Sequence, residues 1–181
     1  MKTKYIAFLR GINVGSHKVK MDQLRTLFGQ LGLENVHTFI QTGNVFFDSS
    51  KNDPAVLEKR IEEHLLAALG FEVKTFVRTA GEIESILKST PFNGIELNSK
   101  TRHVIMFTSD PLPKNIKLPL FSPKGGYELI GYTKKEAFAV IHLVNGKYDS
   151  SNFIEKEFKV STTSRFYHTT EKILAAAKAT S

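Results

Sequence analysis

The sequence predicts an α+β fold: two halves with a similar order of elements, packed as one compact unit. Three observations lead there. Short β-rich apolar runs alternate with segments whose apolar residues recur at helical spacing. The 181 residues, 41% hydrophobic and 24% charged, suffice for one good core or two small ones. No low-complexity stretch or flexible linker interrupts them.

Lys4 to Leu9 (KYIAFL) is a short apolar run that fits a buried strand. Gly11 and Gly15 bracket the loop that follows. From Asp22 to Leu31, Leu24, Leu27, Phe28 and Leu31 fall on one helical face, with Met21 as a staple before it and Gly32 after it. Val36–Gln41 and Gly43–Phe47 read as two strands joined tightly at Thr42-Gly43. Asp48–Asp53 is a polar loop. Asp53-Pro54 then supplies an N-cap and a proline at the first helical position. Leu57, Ile61, Leu65 and Leu69 repeat every four residues up to Gly70, and Phe71–Val77 is a strand. The order βαββαβ is that of the ferredoxin-like split βαβ unit.

Thr79 and Glu82 form a capping box that opens a helix with Ile83, Ile86 and Leu87, ended by Pro91. Residues 93–101 read as loop and His103–Thr108 as strand. Asp110–Gly126 holds four prolines and is read as irregular. Tyr127–Tyr132 and Ala137–Val144 form a hairpin, Asn152–Lys159 a short helix and Val160–Thr163 a short strand. Thr169–Lys178 is the closing helix, with Ile173, Leu174 and Ala177 inward and Thr169 as its cap. The second half is thus an irregular copy of the first, and the boundary is placed near Arg78: residues 1–78 and 79–181.

The absence of cysteine excludes a disulfide framework, thiolate metal sites and cysteine nucleophiles, and fits a cytoplasmic location. No apolar run is long enough for a membrane span, and MKTKYIAFLRG lacks a signal-peptide core, so no membrane association is expected. The net charge is +7, with Lys2, Lys4, Arg10, Lys18 and Lys20 unopposed by any acid in the first twenty residues. Such a field favours an anionic small molecule or nucleic acid as partner. The competing reading is charge that only keeps a small domain soluble.

Two loops carry more polar and glycine character than turns require. RGINVG (Arg10–Gly15) leaves a strand and precedes a helix, where backbone N–H groups bind anions. Gly11 and Gly15 permit positive φ there, Arg10, Lys18 and Lys20 supply charge, and Asn13 supplies directional hydrogen bonds. The spacing is neither GxxxxGK[ST] nor GxGxxG. The alternative is a turn whose Asn13 caps its own backbone. QTGN (Gln41–Asn44) is first of all a turn, and Gln41 and Asn44 join the candidate set only by placement. In a split βαβ unit the two loops are expected at opposite sheet ends. Arg165, in a hydroxyl-rich segment (Ser161–Thr170), is a candidate clamp for carboxylate or phosphate, against a capping role with Phe166 and Tyr167 packed inward.

Six histidines show no HxxxH or HxH pair, so neither a metal nor a cofactor is expected. No GxSxG elbow is present, and Glu62 and Glu63 face different directions on their helix. LRGINVG, KVKMDQLRTLFGQLGLENVHTFIQTGNVFF, RTAGEIESILKSTPF and TTSRFYHTTEKIL resemble the bacterial family catalogued as domain of unknown function 1697. The resemblance implies an α+β protein with ferredoxin-like halves and carries no activity. In the family's C-terminal motif, close to T-x-R-N-x-N-T, Arg165 and Thr169 match, while Phe166 and His168 replace the asparagines. The expected function is binding of a nucleotide, nucleic acid or phosphorylated metabolite at the loop 10–20. The alternatives are an enzyme acting on a small phosphorylated or carboxylated substrate, and an interaction module built on the proline-rich segment 110–124.

Overall fold

The computed structural model describes residues 2–51, 53–148 and 152–180. Met1 and Ser181, at the ends of the two expected halves, and Asn52 of the expected polar loop lie outside the described residues. The chain forms two compact units, Met1–Ser85 with Lys172–Ser181, and Ile86–Glu171. It is mixed α+β, with one four-stranded and one six-stranded sheet.

The first unit runs β1 (Thr3–Leu9), α1 (Met21–Gln30), β2 (Glu34–Phe39), β3 (Asn44–Ser49), α2 (Pro54–Leu69), β4 (Thr75–Thr79), with α3 (Ala80–Lys88) starting directly after. The sheet order β2-β3-β1-β4, antiparallel throughout, is the order a βαββαβ chain takes when each crossover spans one intervening strand. Alternation then fixes the faces. Tyr5, Ala7 and Leu9 of β1 and Val45 and Phe47 of β3 join Leu24, Leu27 and Phe28 of α1 and Leu57, Ile61 and Leu65 of α2 in one core. The intervening Ile6, Phe8 and Phe46 are buried as well, so β1 is covered on both faces.

The local signals in α2 and α3 operate as read. Asp53 accepts a hydrogen bond from the Ala55 N–H at 2.9 Å, and Gly70 ends α2 in the left-handed region. The Thr79 hydroxyl accepts from the Glu82 N–H at 3.0 Å, while the Glu82 carboxylate accepts from the Thr79 N–H at 2.7 Å. β4 begins at Thr75 rather than Phe71. Residues 71–74 carry the chain from the end of α2 to the sheet, and Phe71 stacks on His17 at 4.1 Å instead of pairing.

The second unit holds β5 (Thr101–Thr108), β6 (Leu120–Phe121), β7 (Tyr127–Tyr132), β8 (Glu136–Val144), β9 (Lys147–Tyr148), α4 (Phe153–Phe158) and β10 (Thr162–Phe166); α5 (Tyr167–Ala179) follows. The order β10-β5-β8-β7-β6 repeats the first sheet's arrangement with β6 added at the edge. Where the first unit has α1, the proline-rich segment contributes Leu112 and Ile116 to the core under Val104, Leu129 and Ala139. β10 extends to Phe166, held in register against Val104. The closing helix therefore opens at Tyr167, and Thr169 lies within its first turn rather than capping it.

Candidate functional site

The RGINVG loop and the QTGN turn occupy one end of the first sheet, which overturns the expectation of opposite ends. β3 lies antiparallel between β1 and β2, so β1 and β2 run parallel and both finish at the same edge. The Leu9 N–H donates to the Gly43 carbonyl at 2.7 Å, and Asn13 Nδ2 donates to the Gln41 carbonyl at 2.9 Å.

Each loop is built to hold this closeness. Ile12 is buried in the core and anchors RGINVG from below. Beyond it the chain folds into a small hairpin: the Asn13 N–H donates to the His17 carbonyl at 2.8 Å, with Gly15 at φ 58° near its tip. Asn13 sits at φ 57°, a conformation asparagine tolerates better than most residues. Its Oδ1 accepts from the Val19 N–H at 2.9 Å. Both ends of the Asn13 amide thus serve the loop itself, the capping role weighed against ligand contact. Gly43 is required by close approach: a Cβ there would stand 3.0 Å from the Leu9 Cβ, and its φ is +76°. Asn44 is fully buried and donates to the Phe39 carbonyl and the Thr42 hydroxyl, both at 3.1 Å, so it shapes the turn. Ile40, a β-branched residue, takes φ 51° in the same turn, a strained conformation.

The result is an open depression of about 710 Å³ lined by Asn13, Lys18, Lys20, Asp22, Gln23 and Gln41. Lys18 and Lys20 are exposed at its rim. Lys20 occupies the N-cap position of α1 without a side-chain hydrogen bond to the helix. The first-turn N–H groups of α1 therefore add their partial positive charge to that of the lysines. Among the described residues of the lining the one acid, Asp22, is paired with Arg25. Gly11 and Gly15 are exposed and keep the loop open, at φ 80° and 58°. Arg10 joins the loop to the sheet through its N–H, which donates to the Lys74 carbonyl at 2.9 Å. Val19, Met21, Asp22 and Gln23 belong to this lining and were not singled out from sequence; their signal was position at a helix start beside the basic loop.

Arg165 belongs to the second unit. Its guanidinium donates to the Thr163 hydroxyl at 3.0 Å and the Ser164 carbonyl at 2.8 Å, and desolvation lowers its pKa to about 10. It remains charged at neutral pH. Among the described residues no group of three or more metal-ligating side chains occurs, and no helix is long and apolar enough to cross a membrane.

The fold recurs in the solved structure of the conserved bacterial protein SP0830 from Streptococcus pneumoniae. The two are 23% identical with a TM-score of 0.67, and the match covers 97% of this chain and 98% of that one. At that identity the likeness concerns the fold. No curated protein matches the chain. Residues 1–138 match the family described as "Protein of unknown function (DUF1697)", a span that includes both loops of the depression, and the chain belongs to that family.

Proposed function

We propose that the depression between RGINVG, QTGN and the start of α1 binds an anionic ligand in the cytoplasm: a nucleotide, a nucleic acid or a phosphorylated metabolite. One observation carries this reading. Two loops tied together by the Leu9–Gly43 and Asn13–Gln41 hydrogen bonds hold an open hollow against a helix start whose N-cap is a lysine. A negative group placed there meets Lys18, Lys20 and backbone N–H donors, while Asp22 is already neutralised by Arg25. Because the Asn13 amide is committed to the loop, the lining offers positioning and charge rather than a proton-transfer pair.

The test is a thermal-shift screen of nucleotides and phosphorylated metabolites on the native chain and on the double variant Lys18→Glu, Lys20→Glu. A ligand at a hundredfold excess over its Kd stabilises the native chain by about 2.7 kcal/mol, and the variant is expected to show little of this. If the ligand is nucleic acid, affinity falls steeply with salt, because binding releases counterions. A screen in which no anion stabilises the native chain, or in which the variant responds equally, refutes the assignment.

A further inference from the structure

Val14 is the most exposed large apolar residue among the described residues, at 67%, and Ile40 is 49% exposed. They are the chain neighbours of Asn13 and Gln41, which line the basic depression and are joined by the Asn13–Gln41 hydrogen bond. Two aliphatic side chains are thus left in water beside one hollow. Singly scattered exposed residues need no explanation, but these two come together on adjoining loops. Val19 and Met21 carry apolar surface into the lining itself.

Both residues sit on fixed backbone. Val14 forms a bridge with His17, whose ring stacks on Phe71 at 4.1 Å with planes at 4°. Ile40 stands in the turn that Asn44 closes by donating to the Phe39 carbonyl and the Thr42 hydroxyl. Its φ of 51° is one that glycine or asparagine adopts more easily than a β-branched residue. The turn by itself gives no reason for isoleucine there. Beside this apolar pair, Lys18 and Lys20 are exposed and form no ion pair among the described residues.

Resting on the reading of this depression as an anion site, we infer that its ligand is an amphiphilic anion: a phosphate group carrying an apolar body, aromatic or aliphatic, close to its charge. The phosphate meets Lys18 and Lys20, and the body covers Val14 and Ile40, which are the residues that set specificity. Inorganic phosphate or the phosphate of a small polyol leaves both side chains in water and gains nothing from them. The strain at Ile40 is then kept for a contact made only when the site is filled. A nucleotide base and an alkyl chain both present such a body, and the probes below tell them apart.

The experiment is isothermal titration of the full chain with inorganic phosphate, glycerol phosphate, AMP and hexyl phosphate. AMP or hexyl phosphate is expected to bind about tenfold or more tighter than the two polar probes, the advantage that covering part of two aliphatic side chains supplies. The tighter of the two identifies the body as base or alkyl chain. Val14→Ser and Ile40→Asn are each expected to remove most of that advantage and to leave glycerol phosphate binding as it was. Ile40→Asn is also expected to hold or raise the urea midpoint, because asparagine accepts the positive φ, so its weaker binding does not come from a damaged fold. Val56→Ser, at an exposed aliphatic residue of α2, is expected to bind all the probes as the native chain does. Equal affinity for polar and apolar probes, or native-like selectivity in either rim variant, overturns the inference and leaves the anion reading standing. Binding by none of the probes, or binding that survives the double variant Lys18→Glu, Lys20→Glu, overturns that reading and the inference with it.

Discussion

Gly43 and Gly11 both take positive φ, yet only one of them is crowded. A Cβ on Gly43 meets the Leu9 Cβ at 3.0 Å and the Leu9 carbonyl oxygen at 3.2 Å, whereas nothing lies within 4 Å of the same atom on Gly11. Backbone strain of about 1–2 kcal/mol applies to both, and overpacking adds about 1–3 kcal/mol at Gly43. Urea denaturation is expected to show Gly43→Ala losing about 3 kcal/mol and Gly11→Ala about 1 kcal/mol. His103 sets a pH dependence of its own. Its folded pKa lies below 6.5, so as pH falls the unfolded chain takes up a proton before the native chain does. Stability is expected to decline below about pH 6.5 and to level off once pH passes the folded pKa, and His103→Phe should remove that part of the decline. The check is the urea midpoint of both proteins between about pH 5 and 7.5. Sequence reading weighed Asn13 evenly between ligand contact and self-capping, because the choice depends on Gln41, 28 residues away, which local pattern does not place. His103 looked like any lone strand histidine, since its burial and its unmet nitrogen exist only in the folded chain.

At the scale of elements, the outer edge of β4, the last strand of its sheet, is closed by carboxylates. Its outward N–H groups at Thr75, Val77 and Thr79 donate to Glu62 at 2.9 Å, Glu58 at 2.8 Å and Glu82 at 2.7 Å. An edge strand with free N–H groups is a template for unwanted pairing, and here each alternate donor is occupied. The second unit uses the same device: Glu155 of α4 accepts from the Thr162 N–H of edge strand β10 at 2.7 Å. Glu58 has a second partner in buried Arg78, 3.6 Å away. Glu58→Ala would leave a buried N–H unmet and a buried cation less compensated, so a loss of about 3–5 kcal/mol is expected. Glu63→Ala, removing an exposed carboxylate that faces Lys59 at 3.8 Å, should change stability by less than about 0.5 kcal/mol. Chemical denaturation of the two variants side by side checks the contrast. The helices of the first unit were legible because Asp53-Pro54 and Thr79-Glu82 are local signals and because Leu57, Ile61 and Leu65 keep strict spacing. The shared end of the two loops was misread for a different reason: it follows from strand direction, and β1 and β2 are parallel only because β3 lies between them. β6, β9 and the length of β10 escaped because two-residue strands and a strand rich in Thr and Ser carry almost no periodic signal.

On the scale of the whole molecule, the first unit is discontinuous: it needs residues 172–181 as well as 1–85. The returning part of α5 buries Ile173, Leu174 and Ala177, and its C-terminal end is tied by Lys178 to Glu84 at 2.9 Å and by the Thr180 carbonyl, which accepts from Lys4 Nζ at 3.3 Å. Each large apolar side chain so buried is worth about 1.5–3 kcal/mol, against a total stability of about 5–15 kcal/mol for a typical domain. A chain stopped at Glu171 is therefore expected to lose order of 5 kcal/mol and to show the first unit melting early, read by amide exchange at Ala7, Val45 and Val77. Sequence reading recognised the inward face of this helix but divided the chain once, near Arg78, because periodicity does not say which unit a helix joins. The discontinuity also sets an order of birth. A ribosome delivers the chain from its amino end, so the second unit has residues 86–171 in full while the first, begun earlier, still lacks residues 172–181. The strands that emerge first must wait, incomplete, until the helix that closes them has followed the whole second unit out.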